Sequence, residues 1–309
     1  MNKIAVVLSA YNGEKYIREQ IESIINQSYS AFDLFIHDDG STDGTKLIIN
    51  EFEQRYDNIR IILKQEELKY PCCFIDMLKE IADYEFYAFS DQDDVWESFK
   101  LADAIACMER LDNSKANLYY TAVEYTDSNL QHIRDSRFAK GKYDIRQLKM
   151  QELLFGGEAM GMTFVFNNEA KRALLRANEI ENFKDWFLKL YCAAFGTVYY
   201  NPKSSAKYRR HNLAVTNGEN PSGKFDRYLS QIKEIFINKD TFDTQRKILN
   251  YIKTYCGEMM LDDNEELIKL FLEPDSFKNR LRKATWRKRF RSRFIDELGY
   301  RLAFLLGRI

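Results

Sequence analysis

Proline is nearly missing from this chain and glycine is sparse, at 4 and 13 of 309 residues. Disordered and fibrous chains are rich in both, and this one is instead 14% aromatic, so a folded globular protein is expected. The five cysteines, Cys72, Cys73, Cys107, Cys192 and Cys256, are scattered and odd in number, with no CxxC pair and no metal-ligand spacing. That excludes a disulfide framework and fits a reduced, cytoplasmic setting. Adjacent Cys72 and Cys73 read as ordinary packing. No apolar stretch approaches the roughly 20 residues needed to cross a bilayer. The opening Met1-Asn2-Lys3 leads straight into a short strand-like run, so no secretory signal is read there. A GxGxxG fingerprint is absent, which argues against a dinucleotide-dependent dehydrogenase. Neither charge dominates, with 46 Lys and Arg facing 47 Asp and Glu. A protein that binds nucleic acid over its whole surface would be basic, so no nucleic acid is expected as partner.

What is present is an alternation of strand and helix signals. Ile4 to Leu8 is a continuous apolar run, as in a parallel strand covered on both faces. Asn12-Gly13 marks a turn, and Ile17, Ile21, Ile24 and Ile25 then recur at helical spacing. Asp33 to Ile36 reads as a second strand. A polar, glycine-bearing loop follows from Asp38 to Thr45, and Leu47, Ile48 and Phe52 mark the next helix. Ile59, Ile61 and Leu63 alternate as a third strand. Phe74, Met77, Leu78 and Ile81 share a helical face, and Glu85 to Phe89 is the fourth strand. This βαβαβαβ order predicts an α/β fold with a mainly parallel sheet and flanking helices. Ligands of such sheets gather beyond the carboxyl ends of the strands. The loops at 11–14, 38–45 and 90–94 all fall there.

Later signals are mixed. Leu118–Tyr125, Met162–Phe166 and Thr197–Tyr200 read as strands, with Gly156-Gly157 and Gly161 permitting close backbone approach. Trp186, Leu190, Tyr191 and Ala194 form a helical stripe. Beyond Asn220 the strand signals give way to helices, such as Tyr228–Asn238 and Thr244–Tyr255.

Chemistry is concentrated in Ser90-Asp91-Gln92-Asp93-Asp94-Val95-Trp96. Three carboxylates at the end of a buried strand repel one another, and a divalent cation removes that cost. Hard oxygen ligands suit Mg2+ or Mn2+, ions that also bind phosphate oxygens. The segment therefore reads as a metal site for a phosphorylated substrate, or as an acidic loop capping the next helix. Asp38-Asp39-Gly40-Ser41-Thr42-Asp43-Gly44-Thr45 divides in the same way. A carboxylate at a strand end can accept from a base N–H or a ribose hydroxyl, and the same residue types build a plain turn.

Taken in order, Ala10-Tyr11-Asn12-Gly13, the Asp38–Thr45 segment and the Ser90–Trp96 segment resemble the signature of family 2 glycosyltransferases. The SDQDDVW form, with Lys100-Leu101 after it, is similar to the bacterial rhamnosyltransferase-like branch, and the likeness covers residues 3–215. It implies a GT-A fold, a nucleotide-sugar domain over residues 1–218 followed by a helical region over 219–309. It also implies an inverting, metal-dependent transfer of a sugar, L-rhamnose in that branch, from a nucleoside diphosphate donor. The acceptor would be a saccharide or lipid-linked saccharide in bacterial surface-polysaccharide synthesis.

The implied roles carry over residue by residue. Ala10, Tyr11, Asn12 and Glu14 line the nucleotide pocket, and Asp39 meets the base or ribose. Asp91 and Gln92 contact the ribose and phosphate side. Asp93 binds Mg2+ or Mn2+ through the diphosphate, with Asp94 helping from behind. The stretch from Gly161 to Asn167 is similar to one bordering the acceptor pocket, giving Gly161 and Met162 to the acceptor together with Trp186. Lys184-Asp185-Trp186-Phe187-Leu188 resembles the HDWWL segment, whose Asp is the expected general base. Asp185 takes that role, with Lys184 in place of the usual His, although position alone would also suit a helix N-cap. Tyr208-Arg209-Arg210-His211-Asn212 resembles a YRxHxxN segment and brings Arg210 and His211 to the diphosphate. Leu68 to Cys73 differs from the family's glycine- and asparagine-bearing stretch. A processive synthase shares the early motifs but needs a QxxRW segment and membrane spans, which the sequence lacks. A non-catalytic nucleotide-sugar sensor on the same fold is the alternative reading.

Residues 278–293 hold nine Lys and Arg and no acid. Trp286, Phe290 and Phe294 fall at helical spacing among these cations, a pattern suited to an anionic membrane surface over 278–294. The same stripe would equally pack against the catalytic domain. A cytoplasmic protein, peripheral on the inner face of the plasma membrane, is the resulting expectation.

Overall fold

The computed structural model describes residues 3–62, 71–136, 146–155, 160–177, 184–211, 242–256, 260, 262–291 and 294–309. Strands β1 (Ile4–Ala10), β2 (Phe32–Asp38), β3 (Ile59–Ile61) and β4 (Phe86–Asp91) lie parallel in the order β3-β2-β1-β4. Helices α1 (Ile17–Ile25), α2 (Thr45–Arg55) and α3 (Cys72–Glu80) cross between them. Antiparallel β9 (Val165–Asn167) joins β4 to β6 (Asn117–Thr126), and β10 (Thr197–Arg209) runs parallel to β6. Short antiparallel strands β5 (Val95–Trp96), β7 (His132–Asp135) and β8 (Arg146–Leu148) complete one ten-stranded sheet. The α/β architecture is the one the sequence predicts.

Successive side chains of a strand point to opposite faces, so β1 feeds two cores. Ile4, Val6 and Leu8 pack with Ile17, Ile21 and Ile24, while Ala5 and Val7 pack with Phe74, Met77 and Leu78. Register then sets the rim. Ala10 pairs with Asp38 and Ser9 with Asp91, so the loops after β1, β2 and β4 leave the sheet side by side.

Three local expectations change. Leu47 is exposed and Ile49 faces inward with Phe52, because three consecutive apolar residues do not define a helical phase. The expected strand from Met162 begins late: Gly161–Thr163 forms a 3-10 turn and only Val165–Asn167 is strand. The strand expected to end at Tyr200 continues to Arg209. Leu63, Gly156-Gly157, Tyr228–Asn238 and the expected boundary at 218/219 lie outside the described residues.

Helices α4 (Lys100–Met108), α5 (Met150–Leu154), α6 (Asn168–Arg176) and α7 (Lys184–Phe195) flank the second half of the sheet. They are followed by α8 (Asp243–Cys256), α9 (Asp262–Leu272), α10 (Phe277–Ala284) and α11 (Phe294–Leu305). These last helices and their flanking residues join one core through rings clustered around Phe155, with Phe242 at 5.2 Å, Phe271 at 5.3 Å, Phe304 at 5.4 Å and Phe290 at 5.5 Å between centroids. The expected Trp286–Phe290–Phe294 face does not form. The chain turns between α10 and α11, where Glu297 accepts from the Phe290 and Arg291 amides at 2.8 Å each. Trp286 and Phe290 are buried by that turn and only Phe294 is exposed, so the inward-packing alternative holds for the first two.

Candidate active site

The rim is knitted by side chains that satisfy the backbone of neighbouring loops. The Asp39 amide donates to the Ala10 carbonyl at 2.8 Å. Asn12 sits in the left-handed region at φ 47°, which asparagine tolerates. From there its amide donates to Ser41 Oγ at 2.8 Å and its Oδ1 accepts from the Thr42 amide at 2.9 Å. The Gly13 amide donates to Thr45 Oγ1 at 2.8 Å, and Glu14 Oε2 accepts from the Gly44 amide at 2.9 Å. Gln92 closes the β4 side by exchanging two 2.8 Å hydrogen bonds with the Tyr11 amide and carbonyl. A Cβ on Gly13 would lie 2.1 Å from Gln92 Oε1, so the close approach requires glycine. Ala10 and Asp39 are buried at the floor, where Asp39 Oδ1 lies 3.5 Å from His37 Nε2. The Tyr11 ring is exposed at the edge, available to stack on a flat ligand.

The acids beyond β4 carry more negative charge than the protein neutralises. Burial pushes the Asp91 carboxyl up to about 7; Lys184 opposes that shift, and Asp93 and Asp185 add to it. Asp94 is fully buried, and burial, then the charges of Asp93 and Asp91, raise its carboxyl well above the ordinary range. Its Oδ1 accepts from the Arg209 amide at 3.2 Å, and its Oδ2 has no hydrogen-bond partner among the described residues. Asp93 Oδ2 accepts from His211 Nε2 at 2.8 Å.

Buried Arg209, which sequence reasoning missed, holds this corner. Its Nε donates to the Asp93 carbonyl and a terminal nitrogen to the Ser128 carbonyl, both at 2.8 Å, and it pairs with Glu19. Its guanidinium lies over the Tyr16 ring, which also packs against His211. Extending the strand past Tyr200 would have revealed it, because alternation then puts Arg209 and His211 on one side and Arg210 on the other. The Arg210 amide donates to the Thr126 carbonyl at 2.9 Å.

Among the described residues, no group of three or more His, Cys, Asp and Glu is arranged to hold a metal ion. Asp93 nevertheless suits Mg2+ or Mn2+, which are held through one or two carboxylates and complete their shell with water and substrate phosphate.

Asp185 faces this cluster from the first turn of α7. It lies inside the helix, and its oxygens serve other groups than the helix terminus. Oδ2 accepts from the Gly161 amide at 3.1 Å, and Oδ1 pairs with Lys184 Nζ at 2.9 Å. Lys184 is buried, its ammonium 4.5 Å from the Phe74 ring centre and 4.7 Å from that of Phe89. Half-buried Trp186 lies beneath Lys189 Nζ at 3.6 Å. Met162 departs from its expected place on the acceptor side, because its side chain is buried in the core with Ala88 and Val165.

A mainly parallel sheet with an acidic rim, and a held carboxylate within electrostatic reach of it, fits a GT-A glycosyltransferase that draws on a nucleotide-sugar donor. The sequence pattern of Glycosyl transferase family 2 matches residues 5–168, more than half of the chain. The chain belongs to that family. A dTDP-rhamnosyl transferase, RfbG of Shigella flexneri, is 30% identical over 218 residues, 66% of this chain and 71% of that one. Among solved structures, S. aureus TarS 1–349 in complex with UDP-GlcNAc superposes with a TM-score of 0.59 at 20% identity, covering 92% of this chain and 73% of that one. GalNAc-T7 with UDP, GalNAc and Mn2+ gives 0.52 at 11% identity, covering 97% and 57%. These two likenesses carry the fold.

Proposed function

We infer that the protein is an inverting glycosyltransferase. It passes a sugar from a nucleoside diphosphate to a saccharide hydroxyl in bacterial surface-polysaccharide synthesis. The observation that carries this reading is Asp185, a carboxylate fixed by Gly161 and Lys184 within electrostatic reach of Asp91. Glycosyl transfer builds positive charge on the sugar ring and negative charge on the departing phosphate. Asp185 takes the proton of the attacking acceptor hydroxyl, a role typically worth about 10²–10⁴ in rate. One base and in-line attack invert the configuration at C1.

On the donor side, Tyr11 stacks on the base and Asp39 accepts from the base or ribose. Asp91 meets the ribose, with Asn12, Glu14 and Gln92 holding the rim in shape. Asp93 would hold Mg2+ or Mn2+, which would neutralise charge on the leaving diphosphate, and His211 meets that diphosphate. Arg209 keeps Asp93 and His211 in register. Gly161 and Trp186 border the acceptor. The S. flexneri relative, by its name a dTDP-rhamnosyl transferase, supports dTDP-rhamnose as donor, and the fold neighbour holding UDP-GlcNAc supplies the second donor to try.

Two measurements test the reading. In a thermal-shift series with Mn2+, the preferred donor raises the melting temperature by mass action. Asp185→Asn should retain that shift and lose transfer by about 10²–10⁴. Transfer near the wild-type rate would remove Asp185 from the role, and donor binding without turnover by the wild type would favour a sensor.

A further inference from the structure

Among the described residues, the last two helices leave an apolar face exposed. They run antiparallel: the Arg280 guanidinium fills the space beside Gly307, Lys283 Nζ donates to the Ile309 carbonyl at 3.3 Å, and Arg301 donates to the Ala284 carbonyl at 2.6 Å. Glu297, Ala303 and Phe304 form the buried side of α11. Phe294, Ile295, Leu298, Leu302, Leu305 and Leu306 are between 38% and 72% exposed. At about 100° of rotation per residue, these six fall within an arc of about 120°. An amphipathic helix of a globular protein turns such a stripe toward the core, yet here the core contact lies on the other side. On α10, Phe277 at 74% exposure and Leu281, one turn later, are also uncovered, beside Lys278 and Arg282. Contiguous exposed apolar surface of this kind marks an interaction site.

Charge discriminates between occupants. Residues 273–309 hold 11 Lys and Arg against 4 Asp and Glu, in a chain whose net charge is −1. A second copy docked by two-fold symmetry would set this basic segment against itself, and like charges oppose that pairing. An anionic surface is attracted by the same cations and accepts the apolar stripe. Helix α11 has 12 residues, about 18 Å, too short to span a bilayer, and no helix among the described residues is long and apolar enough to cross one. A short helix with an apolar stripe and cationic flanks lies in the plane of the interface.

We propose that the α10–α11 hairpin seats the enzyme on a bilayer bearing anionic headgroups. Phe294, Ile295, Leu298 and Leu302 enter the boundary between headgroups and acyl chains, and Lys278 and Arg289 meet the headgroups. The contact is carried by other residues than the Trp286–Phe290 stripe of the sequence, whose rings are buried. It is independent of which sugar the enzyme transfers.

The test is flotation of the full chain with vesicles of phosphatidylcholine alone and of phosphatidylcholine with phosphatidylglycerol. Wild type should float with the anionic vesicles at least about tenfold more than with the neutral ones, and high salt should weaken the binding. Leu298→Glu with Leu302→Glu, both on the exposed stripe, should stay in the soluble fraction while retaining the wild-type circular dichroism and nucleotide-induced thermal shift. Lys278→Gln with Arg289→Gln, which leaves the apolar stripe intact, should lose the preference for anionic vesicles. Absence of wild-type flotation, or equal flotation of wild type and both variants, overturns the proposal. So does a wild-type dimer in light scattering that the Leu298→Glu, Leu302→Glu chain converts to monomer, since a second copy would then cover the face.

Discussion

The acidic rim and the Asp185 corner are held by different means. On the donor rim, backbone amides of one loop are satisfied by side chains of the next, through Asn12, Glu14, Ser41, Thr45 and Gln92. Each such bond contributes about 1 kcal/mol net, and several share the task, so the loss of one leaves the shape standing. At the base corner a single carboxylate hangs on one amide and one buried ammonium. The rim is redundant and the corner is not. Substitutions that leave a rim loop standing should therefore disable the corner, except where the rim's own acids carry chemistry.

Asp93→Ala is the largest expected effect and the exception that marks where the rim is not redundant. Removing it deletes the carboxylate paired with His211 and so the anchor proposed for the cation. Calorimetry with Mn2+ should show nucleoside diphosphate affinity falling by about 10³, in line with several kcal/mol from a metal-held phosphate. Melting of the ligand-free chain should not fall, because Asp93 adds to the repulsion felt by Asp91 and Asp94. Unchanged Mn2+-dependent affinity would move the cation site elsewhere.

Lys184→Met sharpens the contrast on the other side. Asp185 would keep only the Gly161 amide, and a hydrogen bond to a charged partner is worth about 1.5–3 kcal/mol. We expect kcat to fall by about 10–10², with the smaller change in donor KM. Lys184→His, which restores a ring nitrogen of the kind the family uses there, should recover part of kcat. If the Met variant keeps wild-type kcat, Lys184 does not position the base. Gly161→Ala attacks the same point from the opposite direction. Its Cβ would lie 2.6 Å from Asp185 Oδ1 and 2.9 Å from Lys184 Nζ, so the carboxylate must shift. A fall in kcat of about tenfold, with nucleotide binding intact, is the expected kinetic result.

The same contrast explains what could be read from the chain. The rim was legible because each loop is a contiguous motif following a continuous apolar strand, and register alone brings the loops together. The corner was legible only through family likeness for Asp185, since the cradle of Phe74 and Phe89 under Lys184 comes from distant segments. Arg209 stayed hidden because Asn201-Pro202-Lys203-Ser204 breaks the alternation of β10. The strand survives there through register shifts between Asn201 and Ser204 and between Ser204 and Lys207, irregularities of the kind in which proline is tolerated. In the tail, spacing suggested one helical face through Trp286, Phe290 and Phe294. Whether a helix continues past Ala284 is decided by Glu297 capturing the Phe290 and Arg291 amides, a contact no local pattern contains.

A different kind of effect concerns stability, and it separates the corner from the rim by its sign with pH. Lys189, buried over Trp186, is held down from 10.5 to about 8 by burial, with Asp185 opposing the shift. Between those values the unfolded chain binds the proton more readily than the folded one, so this group makes stability rise with pH across the window. Below about 8 the folded protein carries the full cost of a buried cation, on the order of 3 kcal/mol. Lys189→Met should therefore raise the melting temperature at neutral pH and flatten the rise between pH 8 and 10.5. Redundant rim bonds such as those of Asn12 involve no buried cation, so Asn12→Gly should lower melting by the same small amount at every pH. If Lys189→Met leaves the slope of melting temperature against pH unchanged, the ammonium is solvated and the corner does not bear that load.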